Sequence, residues 1–169
     1  MKGKITILSL VLVSMLAAAI VASSAVAERA SQSVTGSGQF EFTSDTGVTA
    51  FRTFAVEASK TADGSVSGQA QIDNRALGQR LHIRIDCLNV IGNVAVVSGI
   101  AWSATGPGNT SGDGAIFAVE DNGQGANAAP DRVTYAYTGT GLVCTDVQSA
   151  ADVDPALFYD VEGGNIQIH

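Results

Sequence analysis

The chain has 169 residues, 16 acidic side chains against 9 basic ones, a formal net charge of −7 and 46% hydrophobic residues. That is enough chain for one ordinary domain with a real core. It is too acidic for a nucleic-acid binder of the usual kind, because phosphate affinity comes from clustered Lys and Arg.

Lys2 and Lys4 open the chain ahead of an apolar run over residues 5–22, and Ala25-Val26-Ala27 then offers the small-residue A-x-A pattern of an export cleavage site. This predicts a signal peptide over 1–27 and a single secreted domain over 28–169, whose formal charge falls to −9 once the two lysines leave. The rival is an uncleaved anchor, since the run is close to the roughly 18 residues that begin to suffice for spanning. The serines and small residues at its end favour cleavage, and no cysteine follows it to carry a lipid. Beyond residue 28 no segment is apolar for long enough to cross a bilayer.

Glycine punctuates the rest of the chain, falling between short alternating segments. Phe40 and Phe42 place an early strand. Residues 53–58 carry Phe54, Val56 and Ala58 on one face. Residues 65–73 set Val66, Gly68, Ala70 and Ile72 against Ser65, Ser67, Gln69 and Gln71, one dry face and one wet. Asp63-Gly64 supplies the turn between them, so the two segments pair antiparallel. From Leu81 the pattern turns Leu81, Ile83, Ile85 and Cys87 inward and His82, Arg84 and Asp86 outward, then changes phase at Leu88 and Val90, which predicts a bulge near Cys87. Gly92-Asn93 turns the chain into residues 94–102, too apolar for clean alternation and therefore central in a sheet. A polar loop over 105–114 follows. Ala115, Phe117 and Val119 then alternate with Ile116, Ala118 and Glu120 up to Asp121-Asn122-Gly123. After a loop through Pro130, Val133, Tyr135 and Tyr137 mark one more strand, and Ile166 with Ile168 the last. About eight short strands at this spacing predict an all-β fold, an antiparallel small β-barrel or β-sandwich. Helix is confined to one turn at most, best placed at 149–157, where Asp154-Pro155 could open it.

Cys87 and Cys144 are the only cysteines. In an exported chain a disulfide is their default, contributing about 4 kcal/mol at most through loop-closure entropy. A zinc or redox role has less behind it, with no C-x-x-C and no neighbouring histidine.

Several pieces in order carry a resemblance: Cys87-Leu88-Asn89-Val90-Ile91-Gly92-Asn93-Val94-Ala95, then Val119-Glu120-Asp121-Asn122-Gly123-Gln124-Gly125, Pro130-Asp131-Arg132-Val133, Cys144, and the terminal Gly163-Gly164-Asn165-Ile166-Gln167-Ile168-His169. Together they resemble an uncharacterised family of small secreted bacterial β domains, over roughly residues 33–169. The resemblance implies a barrel or sandwich with Cys87 bonded to Cys144, and it implies no activity. The stretch 146–160 is longer and more acidic than that pattern, which makes it the place for any function peculiar to this chain.

No catalytic set assembles in the sequence. The two histidines, His82 inside a strand and His169 at the terminus, sit in no motif, and neither G-x-S-x-G nor H-E-x-x-H occurs. Acids such as Asp45, Asp63, Asp121 and Asp131 fall in predicted turns, where they cap local backbone. Glu41 and Glu57 read as solvated strand faces. Calcium is the ion the chain would best suit, through Glu120, Asp121, Asn122 and Asp131 in one loop and Asp152, Asp154 and Asp160 in another, all hard oxygen ligands. Neither set has EF-hand spacing, and acidic turns that keep the protein soluble explain them more simply. Gly123-Gln124-Gly125-Ala126-Asn127-Ala128 loosely matches a dinucleotide fingerprint, but Pro130 and the strand after it leave no helix to receive a pyrophosphate. Asn109-Thr110-Ser111 is a glycosylation sequon, incidental in a bacterial chain. Trp102, Tyr135, Tyr137 and Tyr159 would line a carbohydrate or peptide platform if they share an exposed face.

The sequence therefore predicts a non-enzymatic secreted or cell-envelope module that serves a structural or interaction role with a protein or envelope component. The alternatives are a small-ligand-binding β-barrel, which requires an open interior, and a carboxylate-dependent hydrolase using Glu120, Asp121 and Asp131, which requires two acids facing each other across a cleft.

Overall fold

The alternation seen in the sequence translates into strands longer and more numerous than it suggested. A computed structural model describes residues 31–43, 47–125 and 127–169. The segment 1–27 and Asp45 lie outside the described residues. The strands are β1 (Gln32–Thr43), β2 (Thr49–Lys60), β3 (Val66–Asn74), β4 (Gln79–Ile91), β5 (Val94–Thr105), β6 (Gly114–Glu120), β7 (Arg132–Thr134), β8 (Tyr137–Gly139), β9 (Phe158–Asp160) and β10 (Gly163–Ile168). They form one antiparallel sheet in the order β10-β1-β2-β3-β4-β5-β6-β7-β9, with β8 also on β6. The sheet is barrel-like, and the number of strands is ten where eight were expected.

Curling brings the two ends of this order together, because β9 and β10 are consecutive in the chain. Only Val161 and Glu162 separate them. The Val161 amide donates to the Asp131 carbonyl at 2.8 Å and the Glu162 amide to the Gln39 carbonyl at 2.8 Å. One bent ribbon thus pairs with β7 through its first half and with β1 through its second. Gly38 on β1 makes the corner feasible, since a Cβ there would lie 2.6 Å from the Gly163 carbonyl oxygen and collide with the Val161 side chain.

The inner face is packed, not hollow. Phe40, Phe54, Ile83, Leu88, Phe117 and Ile166 are fully buried and fill it together with the valines and alanines of every long strand. A second, smaller core lies outside the sheet. Residues 141–157, carrying short 3-10 turns at Cys144–Asp146, Ala150–Asp152 and Pro155–Leu157, cross the outer side of β4–β6 and bury Val94, Val96, Ala118 and Val153. This strap explains why β5 shows no alternation: it is buried on both faces. Cys87 and Cys144 are disulfide-bonded and staple the strap to β4. The Asn89 side-chain amide donates to the Val147 carbonyl at 2.7 Å, and the Ser98 hydroxyl accepts from the Cys144 amide at 3.0 Å.

Two details differ from expectation. The phase change in β4 falls between Ile85 and Cys87, so Asp86 is the extra residue and Cys87 turns outward to the strap instead of inward. The segment 133–137 is not one strand. The Thr134 hydroxyl accepts from the Ala118 amide at 2.9 Å, a bond the ladder would otherwise have supplied, and the chain leaves β6 there before rejoining it as β8.

Candidate functional site

Large apolar side chains that remain in water are the informative ones, and among the described residues the most exposed is Trp102, at 61%. Its position is built by a second bulge. On β5, Ser103 stands opposite His82 and Ala101 opposite Ile83, which leaves Trp102 as the unpaired residue between them. Bulges re-aim side chains in this way. The indole lies 5.3 Å from the His82 ring, tilted by 48°.

A shallow depression of about 270 Å³ runs from Trp102 and His82 past Gln71 and Gln69 to Ala55 and Glu57. It continues over Ser59, Ser67, Ser33 and Thr35 in a second depression of about 390 Å³, and a third reaches Ser37, Asn165 and Gln167. These residues are the outward positions of β5, β4, β3, β2, β1 and β10, so at a strand spacing of about 4.8 Å the track spans roughly 24 Å. Its floor is made of small hydroxyl and amide side chains. Asp73 orients one of them: it accepts from Gln71 Nε2 at 2.9 Å and from Arg80 Nε at 2.8 Å, leaving the Gln71 carbonyl oxygen for the track. Burial opposes the Asp73 charge, but those two hydrogen bonds outweigh it and hold the carboxyl below the ordinary value.

The four residues proposed for calcium do come together, around the closure of the sheet. Each carboxylate of the Asp pair works in two directions. Asp131 Oδ1 accepts from the Asn122 amide at 2.9 Å and its Oδ2 from the Ile166 amide at 2.7 Å; Asp121 Oδ1 accepts from the Gly123 amide at 2.9 Å and its Oδ2 from the Ile168 amide at 3.1 Å. Ile166 and Ile168 stand opposite Gly36 and Val34, at positions whose amides face away from β1. The two aspartates therefore stand in for a missing strand along the outer edge of β10. Glu120 pairs with Arg132 and accepts from Asn93 and Asn122, and the Arg132 hydrogen bond foremost holds its carboxyl below the ordinary value. Asn122 also donates to the Pro130 carbonyl at 2.8 Å. Among the described residues no group of three or more His, Cys, Asp or Glu side chains converges to hold a metal ion.

The second acidic set does not gather. Asp152 accepts from the Gln148 and Ser149 amides and Asp154 from the Ala156 amide, each capping its own turn, while Asp160 stands opposite Arg132 in the backbone ladder of β9 and β7. The aromatic platform is likewise divided. Tyr135 and Tyr159 pack on Phe42 with ring centroids 5.4 and 5.7 Å away and Tyr137 meets Tyr135 edge-on at 5.6 Å, so the three tyrosines cluster, while Trp102 stands elsewhere beside His82. His169 extends the β10–β1 ladder through paired backbone hydrogen bonds with Ser33. The sequence did not reveal the His82–Trp102 pair, because it depends on a bulge inside a strand with no readable phase.

The chain matches no protein-family model, no curated protein and no solved structure.

Proposed function

We infer that the mature chain is a secreted, non-enzymatic interaction module of the cell envelope, and that it binds a polymeric glycan along the outer face of β1–β5. The exposed Trp102, set outward by its bulge at the head of the hydroxyl- and amide-lined track, carries this reading. A sugar ring offers an apolar C–H face to an indole and hydroxyls to amide and carboxylate partners, so one aromatic followed by Gln71, Gln69 and Glu57 suits successive residues of a chain. The length of the track suits a polymer better than a single sugar. Export is supported by the leader pattern of residues 1–27 and by the disulfide.

The two other readings find less support. The interior that a ligand barrel needs open is filled by Phe40, Phe54 and Ile83 among others. The acids that a hydrolase needs across a cleft hold main-chain amides or Arg132 instead.

The test is co-sedimentation of the intact protein with insoluble peptidoglycan, chitin and cellulose, wild type against Trp102→Ala. Wild type should pellet with at least one of these, and W102A should bind it about tenfold more weakly, the equivalent of one lost stacking contact. Equal retention of both proteins, or retention of neither, would remove the glycan reading.

A further inference from the structure

A different site lies inside one end of the barrel, beside the β3–β4 and β5–β6 connections. Arg52 points inward from β2 and is only 4% exposed, yet no carboxylate pairs with it among the described residues. Its guanidinium carbon lies 3.7 Å from the centroid of the Phe42 ring and 4.3 Å from that of Tyr135, and its Nε is buried without a hydrogen-bond partner. Buried charges are ordinarily paired, and buried donors ordinarily satisfied, because leaving either bare is costly. Aromatic faces offset part of that cost for the cation, but they accept nothing from Nε in the plane of the guanidinium.

The same arginine lines a cavity of about 20 Å³ with Asn74, Gln79, Asn109, Tyr135 and Ala136. Gln79, Asn109 and Tyr135 are half-buried and form its outer rim. Roughly 10–15 Å³ is needed for a single water, so this space takes the tip of a small group and not a tetrahedral phosphate. The Asn74 carbonyl oxygen already accepts from the Leu77 amide. Its NH2 remains as a second donor beside the guanidinium.

We propose that this barrel-end cavity is a binding site for a carboxylate, which enters past the rim of Gln79, Asn109 and Tyr135 to meet the planar fork of Arg52 beside the Asn74 amide. Size and geometry select the ligand: a guanidinium binds a carboxylate edge to edge, and a space of about 20 Å³ takes the tip of a flat carboxylate and not a tetrahedral anion. The site is independent of the Trp102 track.

The experiment follows the Arg52 Nε–H resonance of the 15N-labelled mature protein while acetate, chloride or inorganic phosphate is added at matched ionic strength. Free and C-terminally amidated Gly-Gly distinguish a peptide terminus from a free small acid. Acetate, or free Gly-Gly, should shift that resonance saturably. It should also raise the melting temperature by about 4 °C at ten times its dissociation constant, while phosphate and amidated Gly-Gly do neither. Arg52→Met should abolish both responses. No saturable shift with either carboxylate in the wild-type protein, or an equal shift with chloride, would overturn the proposal whether or not R52M folds.

Discussion

Asp121 and Asp131 show how one side chain serves two parts of a fold. The sequence permits half of their role to be read, since Asp beside Asn-Gly or Pro is turn chemistry, and one oxygen of each does bond backbone within its own loop. The other half, reaching across 35 and 47 residues to β10, leaves no local trace. Replacing Asp131 by Ala leaves the buried Ile166 amide without an acceptor and should cost about 2–3 kcal/mol, measured by urea unfolding. Asn should serve little better, because its NH2 would oppose one of the two amide donors. Since these oxygens are occupied by N–H groups, the melting midpoint should be the same in calcium and in EDTA. A rise with calcium would instead show that the loop rebuilds around the ion. Glu120 shapes the acid limb together with Asp73, whose carboxyl is likewise held below its ordinary value. The folded pKa of Glu120 lies below the unfolded value near 4.5 because of Arg132, so its contribution is complete above that pH and is lost as pH falls through the folded pKa. The melting temperature should therefore decline below about pH 4.5, and Glu120→Gln should flatten that decline while costing about 1 kcal/mol at neutral pH.

At the scale of elements, the bulges and the strap give β4 and β5 their character. The bulge in β4 was legible, and misplaced by one residue, because alternation on either side of Asp86 is clean. The bulge at Trp102 was not legible. Apolar residues on both faces of β5 erase the phase that would reveal it, and the strap that buries its outer face lies some fifty residues further along the chain. β9 escaped for a simpler reason: three residues are too few to alternate. Because the staple joins a strap to an already paired strand, its loss should loosen the strap first. In Cys87→Ser/Cys144→Ser the amides of 141–157 should exchange with solvent much faster, the β1–β4 amides should keep their protection, and the stability lost should not exceed about 4 kcal/mol. Uniform loss of protection would mean that the strap and the sheet unfold as one unit.

For the molecule as a whole, the fold class followed from alternation and turn residues, while the closure rests on contacts far apart in sequence: the β9–β10 ribbon, the glycine corner at Gly38 and the paired aspartates. On the outer wall of the barrel, the face proposed above to bind glycan, Trp102 is the most exposed large apolar side chain among the described residues. It is also the chain's single tryptophan. Its fluorescence in the intact protein therefore reports one place only. Titration with soluble peptidoglycan fragments, chito-oligosaccharides or cello-oligosaccharides should produce, for the glycan that co-sediments, a saturable blue shift as the indole passes from water to a sugar face. Emission that stays unmoved while that same glycan is bound would place the binding elsewhere and contradict the role assigned to this face.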